Sequence, residues 1–121
     1  MTTINKVIRQ VDTVKPNAYS DADKAGWIAR LDGLICRTVL KQEEAVAYEY
    51  PKDGDKELLV AAPFDDIYAL YVYSMIDFNN REFLNYNNSA QMFNQSFDEY
   101  KKWYNRTNLP KSAANFRNVM G

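Results

Sequence analysis

Four prolines divide the chain and limit what it can fold into. Pro16, Pro51, Pro63 and Pro110 all fall between stretches of apolar residues. Because proline lacks a backbone N–H and fixes φ, these positions predict connectors. Between most of them, apolar residues recur at steps of three and four, which is typical of amphipathic helices. The sequence therefore predicts an all-α chain, a compact bundle of about four helices.

The first two helices are predicted on either side of Pro16. The second begins after Ser20, a residue type favoured at helix N-caps, and continues to about Lys41. The first runs from about Thr3 to Val14 and carries an apolar stripe formed by Ile4, Val7, Ile8, Val11 and Val14.

The helical period is lost between residues 44 and 62. We expect an irregular loop there, with two short extended segments around Tyr48–Tyr50 and Leu58–Val60. Pro63 suits the first position of a third helix. The run from Ile67 to Phe78 is apolar on nearly every side, so this helix is expected to be the central and most buried one.

A fourth helix is predicted after Asn79-Asn80 and extends to about Asn105. It should form a helical hairpin with the third helix. Residues 1–105 are expected to make one helical domain. Residues 106–121 have no periodicity, and we expect a flexible C-terminal arm. The predicted core stripe of the fourth helix consists of Tyr86, Ala90, Phe93, Phe97, Tyr100 and Tyr104.

The composition argues against most catalytic chemistry. Among 121 residues there is no histidine, which removes the usual general base and the commonest zinc ligand. The single cysteine, Cys36, has apolar neighbours within the predicted second helix and is expected to be a buried structural thiol. We therefore expect no enzyme activity, no metal and no cofactor.

Charge and hydropathy also limit the partners. A formal net charge of -1 disfavours nucleic acid as a specific ligand, since phosphate binding needs concentrated Lys and Arg. The longest strongly apolar run, from Ile67 to Ile76, is too short to span a membrane. The start of the chain lacks the apolar segment of a signal peptide, so a cytosolic protein is expected.

The second helix carries small residues on the side opposite its apolar core face. Gly26, Ala29 and Gly33 belong to this stripe. Each glycine in a helix costs about 1 kcal/mol relative to alanine, so close packing should offset that cost. The packing partner is either another helix of the same chain or a neighbouring subunit.

Further candidate contact residues lie elsewhere. Met92 and Trp103 are eleven residues apart and share one side of the fourth helix. Two alternatives are open for these side chains: they contact a partner protein, or the loop or the C-terminal arm of the same chain covers them. Phe116 lies in the predicted arm. The loop segments either pair with another chain or fold over the bundle as a local hairpin, and their candidate residues are Tyr48, Tyr50, Leu58 and Val60.

The stretch YEYPKDGDKELLVAAPFDDIYALYVYSMIDFNNREFLNYNNSAQMFNQSFDEYKKWYNRTNLP resembles head-to-tail connector proteins, also called head-completion adaptors, of tailed bacteriophages and prophages. Upstream, KPNAYSDADKAGWIARLDGLICRTVL is similar to the preceding helix of such proteins. The resemblance implies a virion protein that assembles in the bacterial cytoplasm. It implies a subunit that forms a ring with its own copies, docks on the portal protein and meets tail-side connector proteins, without enzyme activity.

Two other functions stay open from the sequence. Many compact helical domains of this size are DNA-binding regulators, although no basic recognition helix is evident here. Alternatively, Tyr68, Tyr71 and Tyr73 on the third helix could line a pocket for a small molecule.

Overall fold

The computed structural model describes residues 1–108, which form four helices. Within this range there is no β-strand, only an isolated antiparallel bridge between Thr3 and Glu57. The predicted all-α fold is confirmed. The helices are α1 (Ile4–Val14), α2 (Asp21–Thr38), α3 (Asp66–Asn79) and α4 (Phe83–Thr107).

Side-chain caps fix the starts of the first two helices. Thr3 accepts a hydrogen bond from the Lys6 amide, and Ser20 accepts one from the Asp23 amide. Both contacts satisfy amides that have no partner inside a helix. The predicted stripe of α1 is buried except at Val14, which is exposed because it lies in the last turn, at the edge of the core.

A buried lysine joins α1 to α2. Lys24 is almost fully buried, and its Nζ lies 2.6 Å from Asp12 Oδ1 and 3.2 Å from Asn17 Oδ1. A buried ammonium needs such partners to offset its lost hydration. This pairing holds the start of α2 against the end of α1.

The third helix begins at Asp66 and not at Pro63, so that predicted boundary is wrong. The Phe64 amide donates to the Ala61 carbonyl at 3.1 Å, which makes a turn before the helix. This turn places the Phe64 ring 5.0 Å from that of Trp103. The expected central position of α3 is confirmed, since it packs against all three other helices.

Helices α3 and α4 form the predicted antiparallel hairpin. Ring pairs Phe78–Tyr86 and Tyr71–Phe93, both 5.3 Å apart, show the opposite chain directions. Arg81, at φ 58°, ends α3 in a Schellman motif. Its amide donates to the Phe78 carbonyl, and the Glu82 amide donates to the Asp77 carbonyl.

Helix α4 is the outlying helix of the bundle. Among the helices it packs against α3 alone, and Tyr100 is its only fully buried residue. The predicted aromatic stripe of α4 does face α3. The helix continues to Thr107, so the arm predicted from Arg106 begins too early, and residues 109–121 lie outside the described range.

The segment between α2 and α3 folds back over the bundle and is fixed there by Asp32. This carboxylate is fully buried. Its Oδ1 accepts from the Tyr68 hydroxyl at 2.6 Å, and its Oδ2 accepts from the Tyr48 hydroxyl at 2.6 Å. The Leu59 amide also donates to Oδ2, at 3.1 Å, so one side chain of α2 binds both the loop and α3.

A second link extends the same network. The Tyr68 hydroxyl accepts a hydrogen bond from the Val60 amide at 2.9 Å while donating to Asp32. Leu58 and Val60 are consequently buried in the core. Of the two alternatives predicted for the loop, pairing with another chain and folding over the bundle, the structure shows the second, because the bundle itself takes up the Leu58 and Val60 side chains.

Burial and hydrogen bonding shift the pKa of Asp32 in opposite directions. Loss of hydration raises the pKa of its carboxyl group, while the hydrogen bonds from Tyr48, Tyr68 and the Leu59 amide partly lower it. Burial and the nearby carboxylate also raise the pKa of Tyr68 well above its usual value. Tyr68 therefore remains a protonated donor under all ordinary conditions.

Replacing Asp32 with alanine should destabilise the protein. The change leaves the Leu59 amide and the Tyr68 hydroxyl without an acceptor, and each buried unpaired donor costs about 1–3 kcal/mol. We expect a loss of about 2–4 kcal/mol in the free energy of unfolding, measured by urea denaturation. Asp98→Ala is the control, because Asp98 is exposed and its salt-bridge partner among residues 1–108 is Lys102 alone, so the loss should be within about 0.5 kcal/mol. Equal effects of the two changes would contradict this role of Asp32.

Candidate interaction surfaces

The small-residue stripe of α2 is open at one end and covered at the other. A Cβ added at Gly26 would meet no atom within 4 Å. At Gly33 the nearest atom is the Val46 carbonyl oxygen of the loop, at 3.9 Å. Packing by another helix of the same chain, one of the two predicted alternatives, is therefore wrong within residues 1–108. Within the described residues the stripe is free at Gly26, while Ala29 is partly buried.

The loop covers the other half of the stripe through Cys36. The thiol is buried and lies 3.0 Å from Gln42 Oε1 and 3.3 Å from the Glu44 carbonyl oxygen, as a hydrogen-bond donor. This agrees with the predicted structural role of Cys36.

Several large apolar side chains are exposed near the turn of the α3–α4 hairpin. Leu84 is 82% exposed, and Phe83 is 58% exposed. Phe78, at the end of α3, is half exposed, as is Met92 two turns further along α4. The sequence contained a signal for Leu84, since it falls on the polar side of the predicted helix. The sequence analysis missed Phe78, Phe83 and Leu84 as contact residues.

The same part of α4 carries no charge. From Phe83 to Phe97 there are fifteen residues without one Asp, Glu, Lys or Arg, and many of them are exposed amides of Asn and Gln. Solvent-facing helices usually carry charges, whereas the centres of protein interfaces are depleted of them. We call the solvent-exposed side of this stretch (residues 83–97) the uncharged face of α4.

Met92 and Trp103 do not form one surface. They lie about 16 Å apart along the axis of α4. Met92 lines an open cavity with Lys15 and Asp77, whereas Trp103, 39% exposed, stacks against Phe64 and lines a different groove. Phe64, in the turn before α3, thus contacts one side of the Trp103 ring, and the side chain otherwise stays exposed, so the predicted choice between a partner and a covering segment stays open.

The cavity beside Met92 contains an ion pair between the partly exposed Lys15 and the buried Asp77. Lys15 Nζ lies 2.5 Å from Asp77 Oδ1, and the Ser89 hydroxyl donates to Asp77 Oδ2 at 2.9 Å. The lysine offsets the charge of the carboxylate that accepts from Ser89. The arrangement joins α1, α3 and α4.

The three tyrosines of α3 point to separate places. Tyr68 binds Asp32 in the core, Tyr71 packs against Phe93, and Tyr73 lines the cavity beside Asp77. The structure does not bring them together around a common pocket.

We also searched the described residues for metal-binding groups and membrane-spanning helices and compared the chain with known proteins. Residues 1–108 contain no group of three or more Cys, Asp or Glu side chains placed to hold a metal ion. Over the same range, every helix is too short or too polar to cross a bilayer. Comparison with family models, curated proteins and solved structures gives no match.

Of the predicted contact residues, Tyr50 packs partly buried against the core, and Phe116 lies outside the described range.

Replacing Gly26 with alanine should stabilise the chain. A Cβ at this position meets open space, so the change gains the helix propensity of alanine, about 1 kcal/mol in the free energy of unfolding. Thermal or urea unfolding measures the gain.

Gly54→Ala is the matched control for the Gly26 variant. Its Cβ would lie 2.7 Å from Asn5 Nδ2 and displace an amide that donates to Asp55. This variant should lose stability. A destabilised Gly26→Ala protein would show that the stripe is packed against something in the free chain.

Proposed function

We propose that this chain is a structural subunit of tailed-phage virions, a head-to-tail connector. In this proposal it docks on the portal protein, forms a ring with its own copies and links the capsid to tail-side proteins. It acts through protein contacts, and the sites of action are the virion and, during assembly, the bacterial cytoplasm. The observation that carries the proposal is the uncharged face of α4, which exposes Phe83 and Leu84 next to each other.

The position of α4 supports contact with other proteins. A helix that packs against one neighbour leaves most of its circumference free, and 25 residues give a contact surface about 37 Å long. Large apolar side chains exposed on a helix segment without charges, such as Phe83 and Leu84, are typical of protein interfaces.

The open half of α2 supports self-association. Gly26 and Ala29 let a neighbouring backbone approach closely, and nothing within the described residues fills the space beside Gly26. We expect a ring to use both surfaces, α4 of one copy and the Gly26 side of α2 of another copy, or each of them against portal. The resemblance of residues 48–110 to phage connectors names these partners.

The proposal predicts that changing the apolar residues at the start of α4 weakens assembly. Phe83→Ser combined with Leu84→Ser should lower affinity for portal or for other copies at least about tenfold, since few buried apolar residues dominate most interfaces. Native mass spectrometry and pull-down with the portal protein encoded nearby measure the loss. Helicity should stay unchanged, because both side chains are exposed.

The control pair lies on the same helix. Lys101→Ser combined with Lys102→Ser changes exposed residues outside the uncharged face and should retain association. A wild-type chain that is strictly monomeric and does not bind portal would overturn the proposal.

A further inference from the structure

The loop that folds over the bundle contains a short stretch of extended backbone at the surface, residues 44–48. Val46 and Tyr48 are partly buried, whereas Ala45 and Ala47 are exposed. Burial that alternates with a period of two residues is the pattern of an extended chain lying on a core. The stretch therefore resembles a single strand that has no neighbouring strand.

This stretch runs alongside α2 and turns one of its two edges to that helix. The Glu44 carbonyl oxygen accepts from the Cys36 thiol at 3.3 Å, and the Val46 carbonyl oxygen is the atom nearest to a Cβ built on Gly33. Successive residues of an extended chain direct their N–H and C=O groups to opposite edges. The two exposed alanines therefore direct theirs away from α2. We call this side of residues 44–48 the outer edge.

The outer edge has no hydrogen-bond partner in the described part of the chain. Within residues 1–108, neither the N–H nor the C=O of Ala45 and Ala47 forms a hydrogen bond. The edge ends at Glu49, whose N–H donates to Asp53 Oδ2 at 2.8 Å and whose C=O accepts from the Asp53 amide at 2.6 Å. Four main-chain groups are thus available to an added strand, as at the edge of a sheet.

Charge selects the kind of strand that fits the outer edge. Residues 42–50 contain three glutamates, Glu43, Glu44 and Glu49, and no Lys or Arg. All three are exposed, and none of them forms an ion pair within residues 1–108. Opposite charges on adjacent strands stabilise their pairing, and like charges weaken it. A strand that carries Lys or Arg is therefore favoured.

The same charges disfavour a second copy of this stretch as the added strand. In antiparallel pairing, Glu44 of one copy would lie opposite Glu49 of the other copy or beside it. In parallel pairing, each glutamate would lie close to its own counterpart. The outer edge therefore fits a different protein segment better than it fits itself.

We propose that the outer edge of residues 44–48 is a docking site for an extended, basic segment of another protein, which adds to it as a β-strand. Main-chain hydrogen bonds to Ala45 and Ala47 hold the segment, and its Lys or Arg side chains pair with Glu44 and Glu49. The inference goes beyond the connector function and does not depend on it.

A titration of the full-length wild-type chain, followed by nuclear magnetic resonance, tests the main-chain part. The probe is an acetylated and amidated peptide of alternating Lys and Val, seven residues long. The amide signals of Ala45 and Ala47 should shift most, and both amides should exchange more slowly with solvent. The same peptide methylated at every backbone nitrogen keeps its charges but has no amide donors. It should bind at least about tenfold more weakly.

Two charge-neutralising variants test the acidic part. Glu44→Gln combined with Glu49→Gln should bind the basic peptide several-fold more weakly than the wild-type chain. Asp98→Asn combined with Glu99→Gln removes the same charge from exposed residues of α4 and should bind like the wild-type chain. All four residues are exposed, so helicity should stay unchanged.

Three results would overturn the inference. The first is the absence of shifts at Ala45 and Ala47 at millimolar peptide. The second is equal binding of the methylated peptide, which would show that charge alone attracts it. The third is a shift of these two amides with protein concentration in the absence of peptide, which would assign the outer edge to a second copy. All three are measured on the wild-type chain, so they do not depend on how the variants fold.

Discussion

The buried carboxylate of Asp32 is the interaction on which the rest of the structure depends. An ionised carboxylate loses much of its hydration when buried, and it is tolerated only with several donors in good geometry. Asp32 has three, and they come from the loop at Tyr48 and Leu59 and from α3 at Tyr68. These contacts join segments far apart in the sequence. The network orders a segment that has almost no regular structure of its own.

The anchored loop decides which surfaces remain for function. With Leu58 and Val60 in the core, the loop is a wall of the bundle. It covers the Cys36 end of the α2 stripe and supplies one side of the groove at Trp103. The Gly26 side of α2 and the uncharged face of α4 stay open. The proposed connector function rests on these two surfaces.

The helices were predictable because each has a regular apolar period and, for α1 and α2, a capping residue at its start. The hairpin of α3 and α4 was predictable for the same reason. The buried position of the loop was not predictable, because burial of Leu58 and Val60 depends on hydrogen bonds to side chains that are distant in sequence. A signal did exist: Asp32 falls on the apolar stripe of α2 between Ile28 and Ile35, where a charge implies a buried partner.

Two other differences between the predicted and the observed structure come from the way the helices pack. The start of α3 at Asp66 instead of Pro63 follows from the turn that places Phe64 against α4, a tertiary contact that no local pattern encodes. Phe83 was missed because its exposure depends on α4 packing against α3 alone among the described helices, which periodicity does not show. Leu84 was missed although its place on the polar side of the predicted helix indicated exposure.

Amide hydrogen exchange in the wild-type chain tests the central role of Asp32 most directly. The Leu59 and Val60 amides donate to Asp32 and Tyr68, whereas the neighbouring residue Ala62 is exposed. If Asp32 anchors the loop, the first two amides should exchange as slowly as the core amides of α2 and α3, through global unfolding. The Ala62 amide should exchange fast. Rapid exchange at Leu59 and Val60 while the helices stay protected would contradict the account.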